Sequence, residues 1–355
     1  MAAARKATPT IPLSNAEMET AMQVYESQTA NGAAGWKLVE REIPMPMPGQ
    51  VLIRVRATSL NYRDLAFAQN ARQRRPYVPL SDGAGEVIAV GKGVTRAAVG
   101  DRVAANFFLN WIDGGVRASV HDSAMGGAVD GMLAEYVALP AESLVRLPDY
   151  LTYEQAATLP CAAVTLWNAL FEQSKLAPGE TVLLLGTGGV SIFGLQFAKM
   201  AGAKVILTSS SDVKLERARA LGADETINYK TTPDWDKAVW QLTGKRGVDH
   251  VIEIGGGGTM ERSIRSTRTG GTISAIGMLA GFDNKIDPFL MVGRSLHVNG
   301  IYVGSVAMFE RMLTAMTQSR LEPIIDRVFP FTEAPQALEH MASGSHFGKI
   351  VIRLN

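Results

Sequence analysis

The sequence predicts an α/β protein in which a doubly wound parallel sheet is joined to a second, β-rich, barrel-like unit. Three observations predict it. Short apolar runs alternate with helical stretches between residues 156 and 295, the rhythm of a parallel sheet with crossover helices. The glycine cluster Gly186-Thr187-Gly188-Gly189 stands at the first strand-to-helix junction of that region. Ahead of residue 155, strand patterns punctuated by glycine turns dominate. At 355 residues the chain exceeds what one hydrophobic core organises, so two domains are expected.

The β-rich unit reads as strand from Met22 to Asp64, with the run Val51–Ala57 following the turn Pro48-Gly49. Ser81-Asp82-Gly83-Ala84-Gly85-Glu86 reads as a turn into the strand Val87–Val90, and Gly100-Asp101 as a turn into Arg102-Val103. Residues 106–131 have no period and form a loop long enough to be functional. Its Phe107, Phe108 and Trp111 are either a pocket wall or the loop's own packing. Glu154 to Gln173 is helical in pattern, and Thr181–Leu185 is a continuous apolar run, as in a strand buried on both faces. Helix Ile192–Met200, strand Lys204–Thr208, helix Val213–Leu221 with Gly222 as its stop, and strand Glu225–Asn228 follow. Strand Val248–Ile254, helix Thr259–Thr267 and strand Gly271–Ile276 continue the rhythm. A helix near Met308–Gln318 and a terminal strand Lys349–Arg353, returning to the first unit, end the chain.

With 35 basic and 34 acidic side chains the formal charge is +1, which supplies no field to draw in nucleic acid or an anionic membrane. A small-molecule partner is expected instead. No apolar run approaches the ~20 residues of a membrane span, and Met1–Asn15 lacks the apolar core of a signal peptide. The single cysteine, Cys161, excludes an intramolecular disulfide and a Cys-rich zinc site, and it fits a cytoplasmic setting.

Gly186-Thr187-Gly188-Gly189-Val190-Ser191 lies between a buried strand and a helix, with a second strand in time to close a β-α-β unit. The first glycine makes the tight turn, and the second lets backbone approach a pyrophosphate at the helix N-terminus. Ser191 stands where a third glycine is usual; it is small enough for close packing, and its hydroxyl can donate to phosphate. At the end of the second strand an acid would bind a ribose diol. This chain has Ser209, Ser210 and Ser211, with Lys214 beyond, which suits a 2′-phosphate and favours NADP(H), with NAD(H) as the alternative. Asp212 is the dissenting residue unless it caps the next helix.

Here the chain resembles a known family. Asn61-Tyr62-Arg63-Asp64, Ser81-Asp82-Gly83-Ala84-Gly85-Glu86-Val87, Gly100-Asp101-Arg102-Val103, Ala134-Glu135-Tyr136, Leu159-Pro160-Cys161, Gly186-Thr187-Gly188-Gly189-Val190 and His346-Phe347-Gly348-Lys349 occur in family order. They are similar to the motifs of the medium-chain dehydrogenase/reductase superfamily, on its zinc-lacking, quinone-oxidoreductase-like and alcohol dehydrogenase-like branch. The resemblance implies a GroES-like β-barrel catalytic domain in two pieces, 21–155 and 296–355, around a Rossmann domain at 156–295, after a flexible extension at 1–20. It also implies a homodimer or homotetramer with its active site in the cleft between domains.

Members with catalytic zinc place a Cys near position 61, a His-Glu pair near 82–83 and a second Cys near 161. This chain has Asn61, Asp82-Gly83 and Cys161. One thiol and one carboxylate make a poor zinc site, so no metal is expected and Cys161 reads as a small core residue. The resemblance puts Asn61 and Tyr62 at the cleft, Asn61 as an amide donor and Tyr62 as a proton donor to an enolate or alkoxide. Arg63 and Asp64 read as a structural pair. The same pattern implies coenzyme contacts from Thr165, Tyr229, Gly255, Ile276-Gly277-Met278 and Val303, and from Lys349, which with His346 sits on a loop over the cleft. The activity implied is hydride transfer to an enone, quinone or carbonyl compound. Zinc-free interconversion of alcohols with ketones or aldehydes is the first rival, and a non-catalytic NADPH-binding protein the second.

Overall fold

A computed structural model of the chain describes residues 20–73, 75–277, 279 and 286–355. The extension expected at 1–20 falls, but for its last residue, outside the described residues, as does Met278.

Six parallel strands form one sheet in the order Glu225–Asn228, Lys204–Ser209, Thr181–Leu185, Val248–Glu253, Thr267–Ala275, His297–Gly300. The order reverses between Thr181–Leu185 and Val248–Glu253, and that switch point opens a crevice at the strands' carboxyl ends. The sheet extends past the boundary expected at 295, because the edge strand His297–Gly300 pairs with Thr272 to Ala275. That strand, the helix Trp235–Leu242 and the strand Ile325–Pro330 were not legible in the sequence pattern.

The second sheet runs Ile325–Pro330, Lys349–Arg353, Gln50–Ser59, Asp82–Val90, Arg102–Ala105, Leu144–Arg146, with Tyr136–Pro140 also on Gln50–Ser59. The last strand of the chain lies antiparallel to Gln50–Ser59, so the C-terminal stretch pairs with strands from the first part of the chain. Two local readings are corrected. Asp82–Val90 is strand throughout, not a turn followed by a strand. Its glycines serve close packing: a Cβ on Gly85 would lie 2.1 Å from the Arg54 carbonyl oxygen, and one on Gly83 would lie 2.5 Å from Met132 Cε. Strand pattern also stops earlier than Asp64, because Tyr62–Gln69 is a helix with Asn61 as its N-cap.

The helical stretch through Cys161 is continuous but uneven, with π-helical turns at Leu159–Ala163 and Asn168–Gln173. Such turns widen a helix and recur at functional sites.

Candidate active site

Strand Thr181–Leu185 delivers the chain to Gly186, whose φ of +75° is comfortable only for glycine. Gly188 is then the N-cap of helix Gly189–Met200. A glycine has no side chain to cap with, and the first turn carries no acidic residue, so the N–H groups of Gly189, Val190 and Ser191 keep the partial positive charge of the terminus. Space is open above Gly188, where the nearest atom to a Cβ would be His346 Nε2 at 3.8 Å. The buried Thr187 accepts a hydrogen bond from Gly348 N at 3.0 Å, which ties residues 346–349 to the loop.

Ser191 does not serve as expected. It is buried and its hydroxyl donates to the Leu185 carbonyl at 2.5 Å, closing the turn rather than reaching outward. The close helix–strand approach is made one turn later by Gly194, where a Cβ would lie 2.8 Å from Leu184 Cδ2.

At the end of the second strand Ser209 is buried and Ser210 half-buried, while Ser211 caps helix Asp212–Ala220 through its Oγ. Asp212 is therefore not the cap; its carboxylate accepts from Asn228 Nδ2 at 2.8 Å. Lys214 donates to the Gly344 carbonyl at 2.7 Å, and desolvation holds its ammonium below the ordinary lysine value. Burial, reinforced by the Lys214 charge, pushes the His346 imidazole down to about 4. His346 is thus neutral at pH 7, with a buried Nδ1 that has no protein partner. Tyr229 is exposed beside a cleft of about 430 Å³ lined by Gly186, Thr208, Gly255 and Arg262. A larger cleft of about 640 Å³ lies elsewhere, between Arg96, Arg146 and the helix Val306–Ser319, and none of these residues lines it.

The expected backbone contacts at the other end of the crevice are partly spent. Gly255 N donates to Glu253 Oε1 at 2.7 Å, and the Ile276 and Gly277 amides both donate to the Glu253 carbonyl. Their N–H groups are occupied, leaving their carbonyls. Glu253 was missed by sequence reading: wholly buried, it also accepts from Gly256 N and the hydroxyls of Thr259 and Ser263, and so shapes the glycine turn. Val303 has φ +56°, a left-handed conformation that costs a β-branched residue on the order of 1–3 kcal/mol. Two buried asparagines hold that segment, Asn168 donating to the Val303 carbonyl at 2.7 Å and Asn106 to the Gly304 carbonyl at 3.2 Å. Thr165 is buried and its hydroxyl donates to the Cys161 carbonyl at 2.6 Å.

Lys349 departs furthest from expectation. It lies on a strand, not a loop, and its ammonium is buried. It donates to the Leu60 carbonyl at 2.7 Å, to Asn61 Oδ1 at 2.6 Å and to Asp82 Oδ2 at 3.4 Å. Asp82 is wholly buried and is further held by Ser59 and Ser81. Asn61 is 9% exposed, and its Nδ2 is buried with no protein partner. Tyr62, by contrast, is 52% exposed, and its phenol makes no hydrogen bond among the described residues. Cys161 is half-buried, and desolvation pushes its thiol up, away from the thiolate form.

Arg63 and Asp64 do pair, at 3.4 Å. Burial, opposed by Arg63, pushes the Asp64 carboxyl from 3.8 up to about 6. Its contribution to stability is therefore complete below pH 3.8 and is lost as pH rises through about 6. Asp64→Asn, which keeps an acceptor for Asn61 N, is expected to gain on the parent protein by about 2–3 kcal/mol between pH 4 and pH 8. Chemical denaturation across that range checks it; a pH-independent difference between the two proteins contradicts it.

The aromatic residues of loop 106–131 are packing, not pocket wall: Phe107, Phe108 and Trp111 are buried. The exposed aromatic surface comes from Tyr302, stacked on His121 with centroids 5.2 Å apart. Burial pushes the Tyr302 phenol above its ordinary value, opposed by the charge of Arg63.

Among the described residues no group of three or more His, Cys, Asp or Glu side chains gathers as a metal site, and no helix is long and apolar enough to cross a membrane.

Comparison with known proteins agrees with this architecture. Residues 47–149 match the alcohol dehydrogenase GroES-like domain, and residues 189–318 match the zinc-binding dehydrogenase family. A zinc-type alcohol dehydrogenase-like protein of Schizosaccharomyces pombe is 44% identical over 326 residues, 89% of this chain and 94% of that protein. The crystal structure of a putative alcohol dehydrogenase from Sinorhizobium meliloti 1021 superposes with a TM-score of 0.88 at 41% identity, covering 95% of this chain and all of that one. That of an NAD-dependent alcohol dehydrogenase gives 0.86 at 32% identity, covering 94% and 100%. A GroES-like domain, a six-stranded Rossmann sheet and an uncapped glycine-rich helix start, in family order over nearly the whole chain, make this protein a member of the medium-chain dehydrogenase/reductase superfamily and an NAD(P)-dependent oxidoreductase.

Proposed function

We propose that the protein is an NADP(H)-preferring reductase that works without zinc and delivers hydride to an enone, quinone or other carbonyl compound. The observation that carries this reading is the buried ammonium of Lys349 between Asn61 Oδ1 and Asp82 Oδ2. The names of several relatives mention zinc, but the residues here do not fit it. Asn61 replaces a thiolate ligand, Cys161 is held in its thiol form, and Asp82 already faces a fixed cation that repels a second one.

A coenzyme fits better. The uncapped helix start suits a diphosphate, and the orphaned Asn61 Nδ2 awaits an oxygen acceptor. When bound, the nicotinamide supplies the hydride. Asn61 then donates a hydrogen bond to oxygen as negative charge develops there, and Tyr62 donates the proton that the reduced product needs and is reprotonated from water. The panel that tests this sets NADPH and NADH against enones, quinones and aldehydes, with and without a chelator. Activity abolished by the chelator and restored by zinc sinks the metal-free reading. The neighbours named alcohol dehydrogenase favour a second reading, zinc-free alcohol oxidation, and NADP⁺ reduction by simple alcohols would select it.

For the 2′-phosphate, support comes from Ser209–Ser211 and Lys214, with Asp212 Oδ1 turned to Asn228 rather than free. Lys214→Ala is expected to weaken NADPH about 10- to 100-fold with little change for NADH. Equal effects on the two coenzymes, measured by fluorescence titration, defeat the assignment.

A homodimer is proposed through the sheet edge His297–Gly300. No described strand covers its outer side, and Val298, Phe289 and Val292 are exposed nearby. Light scattering of Val298→Lys should show monomer where the parent protein is dimeric; an unchanged mass argues against this face.

A further inference from the structure

We infer that Lys349 is a positioning residue for the reaction: its ammonium sets the flip of the Asn61 side-chain amide, so that the Nδ2–H pair is presented to an oxygen of bound coenzyme or substrate. The inference rests on the reading of Asn61 as a donor.

An ammonium has three hydrogens and no lone pair. The Asn61 atom 2.6 Å from Lys349 Nζ must therefore be the amide oxygen, so the orientation of this amide follows from chemistry. With Oδ1 turned to Lys349, Nδ2 faces the other way. There it is buried and finds no protein acceptor. A buried donor left unmade costs about 1–3 kcal/mol, and reversing the amide would set N–H against N–H. Lys349 thus maintains an orphaned donor that the protein alone would not favour.

Lys349 cannot make a ligand contact of its own, since its three hydrogens go to Leu60, Asn61 and Asp82. Its stem runs over the start of the diphosphate-binding helix: a Cβ on Gly189 would come within 2.6 Å of Lys349 Cδ. Gly348 N, bonded to the Thr187 carbonyl, fixes the register of that crossing. One side chain therefore spans from the glycine loop to Asn61. That brings the Asn61 amide close to the start of that helix, and the acceptor we infer for Nδ2 is either a ribose hydroxyl or the substrate's carbonyl oxygen.

A double-mutant cycle on the full chain tests this, with Asn61→Ala, Lys349→Met, the double variant and Lys349→Gln. NADPH affinity is read by fluorescence and reduction of a cyclic enone and an ortho-quinone by steady-state rates. Lys349→Met is expected to cost about 10-fold or more, the double variant no more than Asn61→Ala alone, and Lys349→Gln, which still donates to Oδ1, is expected to recover most of the loss. Loss in NADPH affinity identifies the ribose as acceptor; loss in kcat/KM at unchanged affinity identifies the substrate oxygen. Losses that multiply in the double variant, or parent-like behaviour of Lys349→Met, overturn the inference while leaving the Asn61 reading intact. An inert Asn61→Ala defeats both. If Lys349→Met fails to fold, the Asp82→Asn/Lys349→Met pair, which removes both buried charges together, carries the same cycle with Asp82→Asn as its reference.

Discussion

Replacing Gly188 with valine is expected to lower coenzyme affinity by about 100-fold while the protein stays folded. The position is open in the free protein, since a Cβ there would find nothing nearer than His346 Nε2 at 3.8 Å. Its backbone, at φ −77° and ψ −177°, is extended and accepts any side chain. The valine methyls fill the space between the helix start and His346, where a diphosphate would approach the Gly189 and Val190 amides. Losing two charge-assisted bonds costs about 3 kcal/mol. Gly186→Val is the contrasting control. At φ +75° it strains the turn itself, so it lowers thermal stability as well as binding. Calorimetric titration with NADPH beside a melting curve separates the two. Parent-like affinity in Gly188→Val means that the diphosphate does not lie there.

Asn61→Ala is expected to reduce turnover by about 10²–10³-fold, the loss typical of one oxyanion donor. Asn61→Asp should fare no better. Its carboxylate pairs with Lys349 and offers no hydrogen to a ligand, although its shape is almost unchanged. Tyr62→Phe is expected to cost less than about 10-fold, because an exposed phenol can be replaced by water as proton source. The ranking, measured with one acceptor at saturating NADPH, is the discriminating result. Tyr62→Phe worse than Asn61→Ala would transfer the principal chemical role to the phenol.

The rhythm of Thr181–Leu185, Lys204–Ser209 and Val248–Glu253 was legible because each is a short apolar run buried on both faces, a local property of the chain. The edge strand His297–Gly300 was not legible, since one side lies open and its residues show no apolar run. Where the hydroxyls of Ser191 and Thr165 point was not legible either: both satisfy carbonyls of their own segment, one across a tight turn and one a helical turn away. Glu253 went unnoticed because a strand-end carboxylate acquires meaning only when four donors fold around it.

The sequence by itself determined the parallel sheet and the glycine turn into an uncapped helix, because these depend on residue type and short-range spacing. Tertiary structure alone decided what Lys349 does. It stands 288 positions from Asn61, and only closure of the last strand against Gln50–Ser59 brings its ammonium to that amide. No local pattern encodes a buried charge whose partners arrive from the other end of the chain.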